Sequence, residues 1–290
     1  MKKITIGGMS SRFGIGMISL NKICIAVRLA PPPEQAGQAD GQIKTFCRKI
    51  VLVPGPKILE LPFIRALAIV RQVYLMARMF YGRSVRDFYS VQKVSVSPRG
   101  LEMILKFIIV YFFTIVLYGY WLLLADFWGQ YQFILEKISF IVMSLFFIVL
   151  FVRLVMGKRI LRYHGAEHKA INLFYSGQDL TVTNARQASR IALKCGTTVV
   201  WFVIILETIL YSFIIFSLAW YWLLPLTFIV FFVLLSVAYE LVRVLVRFEN
   251  HFWAKLIYYP ALWFQRLTTA EPTDRDLELA LAALKELLKS

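Results

Sequence analysis

Residues 197–219 carry the sequence TTVVWFVIILETILYSFIIFSLA, an apolar run that contains a single charged residue, Glu207. A helix of about 20 apolar residues is long enough to cross the hydrocarbon core of a bilayer. Three further stretches, near 103–125, 138–156 and 222–246, have similar length and composition. The sequence therefore predicts a mainly α, polytopic membrane protein with about four transmembrane helices.

The composition favours the same class. The chain is 59% hydrophobic and 17% charged, whereas soluble domains are about 45–50% apolar and about 25% charged. Its formal net charge is +16, and the Lys and Arg residues flank the apolar runs. We therefore expect a lipid bilayer as partner, through its anionic headgroups, and no nucleic acid, because no nucleic-acid-binding motif is present.

The distribution of Lys and Arg predicts the topology. The N-terminal segment, the link at 157–196 and the C-terminal tail are rich in basic residues, whereas the links inside the predicted transmembrane hairpins at 101–156 and 197–248 are not. By the positive-inside rule, the three basic regions, and with them both termini, are expected in the cytoplasm.

Three other segments are predicted outside the hairpins. Residues 1–57 are expected to form a small cytoplasmic β unit, with strands at 23–29 and 43–53 separated by the Pro31–Pro33 loop, and with Gly14 and Gly16 in a turn. Residues 58–100 are expected to hold an arginine-bearing interfacial helix, at 61–81, and a linker.

The last segment, 249–290, is predicted to contain two helices. The first, from His251 to Arg266, is expected to be interfacial and to be broken or kinked at Pro260. The second follows a capping box at Thr273–Asp276 and presents one apolar stripe, which must bury against this chain or a partner; its residues are Leu277, Leu281, Leu284 and Leu288.

The three cysteines, Cys24, Cys47 and Cys195, form no C-x-x-C pair. Their odd number argues against a disulfide framework, and a reducing compartment is expected for the regions that contain them.

Residues 162–169, RYHGAEHK, carry the strongest chemical signal. His164 and His168 are four residues apart, so on a helix both imidazoles can reach one metal ion. Cys195 is the best third ligand, and the set suits zinc. Glu167 is then placed as general base toward a bound water. The alternatives are solvated histidines on a basic loop and a cysteine that only fills space at a helix end.

Two further acidic residues are weaker candidates. Glu207 lies inside an apolar run, where a carboxyl group is costly and is therefore a functional candidate or a hydrogen-bonded packing residue. Glu240 can complete the ligand set or pair with Arg243, three residues on, and the ion pair is favoured. His251 is expected at the surface. The basic residues around the motif, including Lys169 and Arg162, either receive an anionic substrate or only follow the charge rule.

The sequence resembles the YqhQ-like bacterial membrane proteins, a domain of unknown function that is often labelled a metal-dependent enzyme. The resemblance rests on the blocks at 163–169, 180–184, 195–197, 239–241 and 260–272, and it extends from about residue 7 to residue 285. It implies a multi-pass protein of the bacterial inner membrane. The chain departs from the family pattern at residues 192–194, Ser176 and Phe13, where polar groups of that pattern are replaced.

Three functional readings follow. The first is a metal-dependent hydrolase with a zinc site at the cytoplasmic surface and a lipid-derived or peptide substrate. The second is a non-catalytic subunit or assembly factor that keeps the family fold, with a membrane protein partner or a second copy of itself. The third is a transporter or lipid-handling protein that uses Glu207 within the predicted spans.

Overall fold

A computed structural model describes residues 6–11, 13–19, 22–28, 42–49, 66–80, 157–214 and 220–289. The predicted spans at 103–125 and 138–156, and the Pro31–Pro33 loop, lie outside these ranges. The chain divides into two compact units. Unit 1 comprises residues 1–97, 158–195 and 268–290, and unit 2 comprises residues 98–157 and 196–267.

The described secondary structure is mainly helical. Four strands come first, β1 (Gly7–Ser10), β2 (Gly14–Ile18), β3 (Lys22–Arg28) and β4 (Ile43–Lys49). The described helices are α1 (Ala66–Phe80), α2 (Gly157–Ser176), α3 (Val182–Gln187), α4 (Gly196–Ile214), α5 (Trp220–Arg247), α6 (Phe252–Thr268) and α7 (Asp274–Leu288).

Unit 1 contains an antiparallel sheet with the strand order β1-β2-β3-β4. Successive residues of β3 face opposite sides of this sheet, as the period of a strand requires. Cys24 and Ala26 belong to a core with α2 and α7, whereas Ile23, Ile25 and Val27 belong to a second core with α1. The sheet is therefore covered on both faces.

The Gly-rich N-terminal segment forms two strands that the sequence did not reveal. Gly14 and Gly16 lie in β2 and not in a turn. A Cβ at Gly16 would lie 3.0 Å from Met76 Sδ and 3.2 Å from Phe80. The glycine thus makes room for α1 against the sheet, which is a packing role that periodicity does not show.

The expectation of unpaired cysteines is wrong. Cys24 and Cys47 face each other across β3 and β4, and they form a disulfide with a Cα–Cα distance of 4.2 Å. Sequence spacing could not reveal this pair, because two cysteines at a sequence separation of 23 come together only when the strands align. Cys195 does not take part in a disulfide.

The C-terminal helix α7 begins with the predicted capping box. Thr273 accepts from the backbone of Asp276, and the Asp276 side chain accepts from the backbone of Thr273. Leu277, Leu281 and Leu284 are buried in the core with the sheet. The apolar stripe therefore packs within unit 1.

The predicted class of polytopic membrane protein has to be corrected. Within the described ranges, no helix is long and apolar enough to cross a membrane. In these regions the structure describes α4, which contains Glu207, and α5, which contains Glu240 and Arg243 in its last turns. The finding supports a mainly helical chain with a small antiparallel sheet near its N-terminus.

Candidate metal centre

The two histidines of the motif lie on one face of α2, as their spacing predicts. Their ring centroids are 4.5 Å apart, in an edge-to-face arrangement. After α3, the chain returns along α2 and brings Cys195 to the histidines. The ligand atoms of His164, His168 and Cys195 all lie within 4.8 Å of one another, so these three residues could hold a metal ion.

Each histidine is oriented by a backbone carbonyl. His164 Nδ1 lies 2.9 Å from the carbonyl oxygen of Thr268, and His168 Nδ1 lies 2.7 Å from that of Arg190. Because a carbonyl oxygen can only accept, both Nδ1 atoms carry the proton. In the neutral rings, both Nε2 atoms are then the metal-binding nitrogens, which is the arrangement that carbonyl partners impose on zinc-binding histidines.

One ligand pair already has the separation that a small tetrahedral ion requires. His164 Nε2 lies 3.4 Å from Cys195 Sγ. With metal–nitrogen bonds of about 2.0–2.1 Å and metal–sulfur bonds of about 2.3 Å, a tetrahedral zinc ion separates its ligand atoms by roughly 3.3–3.6 Å. The observed pair is within that range without further movement.

The electrostatics of the metal-free centre favour a charged pair, with a protonated His164 and a Cys195 thiolate. Burial alone would lower the pKa of His164, but the Cys195 thiolate, with smaller contributions from Glu167 and the Thr268 carbonyl, raises it to about 9. Burial alone would raise the pKa of the Cys195 thiol, but His168 and His164 hold it well below its ordinary value. Cys195 is therefore poised as a thiolate, the form that binds metals.

Glu167 lies beneath the edge strand β1. Its Oε2 atom accepts a hydrogen bond from Ser10 Oγ at 2.7 Å, and a Cβ at Gly8 would lie 2.3 Å from its Oε1 atom. Burial raises the pKa of Glu167, against the opposing effect of His164, His168 and the Ser10 hydrogen bond. A buried carboxylate with a raised pKa is a stronger base.

Side-chain and backbone contacts join α2 to two other segments of unit 1. Lys169 Nζ donates to the carbonyl of Arg186 at 2.7 Å and pairs with Glu271 at 2.9 Å. The backbone N–H of Ala270, next to Glu271, donates to the carbonyl of Leu161 at 2.8 Å. Lys169 is 5% exposed, so it is a structural cation and not a solvated one.

The remaining sequence candidates lie elsewhere. Glu240 forms an ion pair with Arg243 at 3.4 Å, and Glu207 lies on α4, where burial raises its pKa. Neither belongs to the metal-capable cluster found among the described residues. His251 is exposed beside the rings of Phe248 and Trp253.

Several contributors to the site were not predicted. The hydroxyl of Ser10 and the carbonyls of Thr268 and Arg190 come from segments outside the motif, and no local pattern reveals them. Asn172 had a signal, since it continues the four-residue spacing of His164 and His168 along one face of α2.

Comparisons with known proteins agree on a family. Residues 61–290 match the family described as "Protein of unknown function (DUF1385)". Over 132 residues, 46% of the chain, the sequence is 33% identical to "Uncharacterized protein YqhQ" of Bacillus subtilis (strain 168), and the match covers 41% of that relative's length. No solved structure matches the chain.

Proposed function

The chain belongs to the DUF1385, YqhQ-like family of proteins of unknown function, so its chemistry has to be inferred from its own side chains, and we propose that it is a zinc-dependent hydrolase. The observation that carries this proposal is the convergence of His164 Nε2, His168 Nε2 and Cys195 Sγ, with both Nδ1 atoms committed to carbonyls.

The ligand set supports zinc among the divalent metals. Two imidazoles and one thiolate are ligands of intermediate softness, which disfavours Mg²⁺ and Ca²⁺. Three protein ligands are also the number found in catalytic zinc sites, where the fourth position is left to water or substrate. Bound there, zinc would polarise a substrate carbonyl and lower the pKa of a water molecule to about 7.

Glu167 is the general base in this proposal. It interacts electrostatically with both histidines, and burial raises its pKa. Ser10 fixes one carboxylate oxygen through its hydroxyl hydrogen bond, which leaves the carboxylate with a defined orientation. Glu167 would accept a proton from the attacking water and return it to the leaving group, a role that contributes about 10²–10⁴-fold to a rate.

Metal analysis of protein purified without chelators tests the proposal. We expect about one zinc per chain in the wild type, and its loss in His168→Ala, because only two ligands would remain. His251→Ala is the matched control, since it removes the exposed histidine outside the cluster and should leave the zinc content unchanged. Wild-type protein without stoichiometric metal would end the proposal.

Activity separates metal binding from hydrolysis. Glu167→Gln should keep the zinc but lose turnover of an activated ester or peptide by about 10²–10⁴-fold. Equal loss of zinc in this variant would instead assign Glu167 a structural role. Zinc without turnover in the wild type would support a metal-stabilised, non-catalytic protein.

A non-catalytic subunit is the second candidate, and the surface of α6 favours it. Six large apolar side chains of this helix are between 42% and 81% exposed: Phe252, Trp253, Leu256, Ile257, Tyr259 and Trp263. The opposite face packs on α4, where Gln265 Nε2 donates to Thr198 Oγ1 at 2.6 Å. An exposed aromatic face of this size is typical of a docking surface for a protein partner.

A further inference from the structure

Asn172 links α2 to the chain segment at 189–191 through two hydrogen bonds. Its Nδ2 atom donates to the carbonyl of Ser189 at 2.7 Å and to that of Ile191 at 3.0 Å. Two carbonyl acceptors fix the orientation of the amide, because its own oxygen would repel both. Asn172 lies one turn beyond His168 on the same helix face.

The two carbonyls flank the one that orients His168. Residues 189, 190 and 191 are consecutive, and the carbonyl of Arg190 lies 2.7 Å from His168 Nδ1. Three successive carbonyls thus receive hydrogen bonds from two side chains of one helix. A shift of Ser189 or Ile191 would move the Arg190 carbonyl with them.

We propose that Asn172 is a positioning residue of the metal centre. Its two hydrogen bonds hold the segment at 189–191, so that the Arg190 carbonyl selects the His168 ring form whose Nε2 atom faces the metal. This inference rests on the proposed zinc site, to which Asn172 contributes through His168.

The folding of the segment does not depend on Asn172. Ser189 braces the turn from within, because the backbone N–H of Ile191 donates to Ser189 Oγ at 3.0 Å. Lys169 anchors the preceding chain through the carbonyl of Arg186. Loss of Asn172 should therefore leave the turn formed but let it move relative to His168.

Asn172→Asp isolates these hydrogen bonds. The aspartate has nearly the same shape, but it has no donor and directs an acceptor at two carbonyls. Loss of the group that orients a metal-binding histidine costs about 10–100-fold in metal affinity. Asn172 acts on that group through its neighbours, so we expect the zinc Kd of Asn172→Asp, measured by chelator competition, to rise by about tenfold, the lower end of that range.

Asn184→Asp is the matched control. Asn184 Nδ2 also donates to a backbone carbonyl, that of Asp179 at 3.0 Å, but it has no described contact with the metal centre. The same substitution there should change the zinc Kd by less than about twofold, a difference comparable with that of an ordinary surface substitution.

A second readout does not use zinc. Nitrogen-15 NMR of the histidine rings in metal-free protein should show a protonated Nδ1 for His168 in the wild type and in Asn184→Asp. In Asn172→Asp it should show a mixture of ring forms. A purely structural role for Asn172 would not move this signal.

The outcomes separate the two proposals. Wild-type protein that binds no zinc would end the proposed function, and the NMR signal would still decide the role of Asn172. Unchanged zinc affinity and an unchanged His168 signal in Asn172→Asp would overturn the positioning role. If Asn172→Asp and the milder Asn172→Ala both lose the fold by circular dichroism, Asn172 is a structural residue and the inference is also overturned.

Discussion

At the scale of a single residue, Gly165 allows a distant segment of the chain to pack closely against α2. A Cβ at this position would lie 2.1 Å from the carbonyl oxygen of Ala270. That carbonyl belongs to the segment whose Thr268 carbonyl orients His164. The glycine inside the motif thus lets the segment at 268–272 lie directly against α2.

Gly165→Ala should destabilise the protein and weaken the centre. The gain in helix propensity is about 1 kcal/mol, but a backbone carbonyl has to move, and overpacking of that kind costs about 1–3 kcal/mol. We expect a net loss of up to about 2 kcal/mol in the free energy of unfolding, together with a higher zinc Kd. Denaturant unfolding and chelator competition measure the two effects.

Gly196→Ala provides the control for that change. Gly196 also lies in a helix, at the start of α4, and a Cβ there has no atom within 4 Å. This variant should be neutral or slightly more stable than the wild type. Equal effects of the two substitutions on stability and on zinc affinity would show that the close approach of the Ala270 carbonyl is not the cause.

At the scale of elements, the helices of the two units differ in how much of their apolar surface is buried. α7 buries its leucine stripe against the sheet, and α1 buries Met76 and Phe80 on the other face of the sheet. α6 buries one face on α4 but leaves an aromatic face exposed in the described part of unit 2. At 100° per residue, Phe252, Leu256, Tyr259 and Trp263 lie within an arc of about 60°.

Trp263→Ser tests whether this face docks a partner. Trp263 is 61% exposed, so its loss should change the free energy of unfolding by less than about 0.5 kcal/mol. If α6 binds a protein, loss of a central tryptophan should weaken the complex by about 2 kcal/mol or more, roughly 30-fold in Kd. Co-purification in mild detergent, followed by titration of the recovered partner, measures this.

Tyr74→Ser is the matched control for α6. Tyr74 lies on α1 and is 60% exposed, so the substitution removes a comparable aromatic surface from unit 1. A complex that survives both changes, or wild-type protein that is recovered alone, would remove the support that α6 gives to the second candidate function.

At the scale of the whole molecule, the metal centre joins parts of unit 1 that are distant in the sequence. His164 and Cys195 belong to the middle part, the Thr268 carbonyl to the C-terminal part, and Ser10 to the N-terminal sheet. The metal ligands all belong to the middle part, but the Thr268 carbonyl orients His164 and Ser10 orients Glu167. A bound metal should therefore also favour the packing of the N-terminal and C-terminal parts against the middle part. Zinc should therefore stabilise unit 1 as a unit.

The stabilisation by zinc should grow with pH between about 7 and 9. The pKa of His164 is raised to about 9, so its proton must leave when zinc binds, and the apparent affinity should rise about tenfold, or 1.4 kcal/mol, per pH unit below that value. Thermal unfolding with and without zinc at several pH values measures this shift. A shift that does not vary with pH would contradict the charged pair.

The metal-free protein should show a weaker trend from this pair. The raised pKa of His164 contributes stability that is lost as pH rises from 6.5 toward 9. The lowered pKa of Cys195 contributes stability that is gained as pH rises toward the ordinary value of 9.0. The two effects have opposite signs and oppose each other, so the growth in the zinc effect comes from metal binding.

The features that depend on neighbouring residues could be predicted from the sequence. The four-residue spacing placed His164 and His168 on one helix face, the box at Thr273–Asp276 predicted the start of α7, and residues 23–29 were predicted as a strand, which is β3. Each is a consequence of helix or strand geometry, which acts over a few residues. Cys195 was also selected correctly as the third member of the cluster, on its chemistry.

Tertiary structure decided the rest, because it depends on which distant segments meet. The Cys24–Cys47 disulfide, the Ser10 hydrogen bond to Glu167 and the ring forms of both histidines arise from pairings across 23 residues or more, or from the chain's return after α3. The hydropathy of the sequence also predicted transmembrane helices, whereas no described helix is long and apolar enough to cross a membrane. The sequence shows which segments are apolar, whereas the fold decides which surfaces these segments pack against.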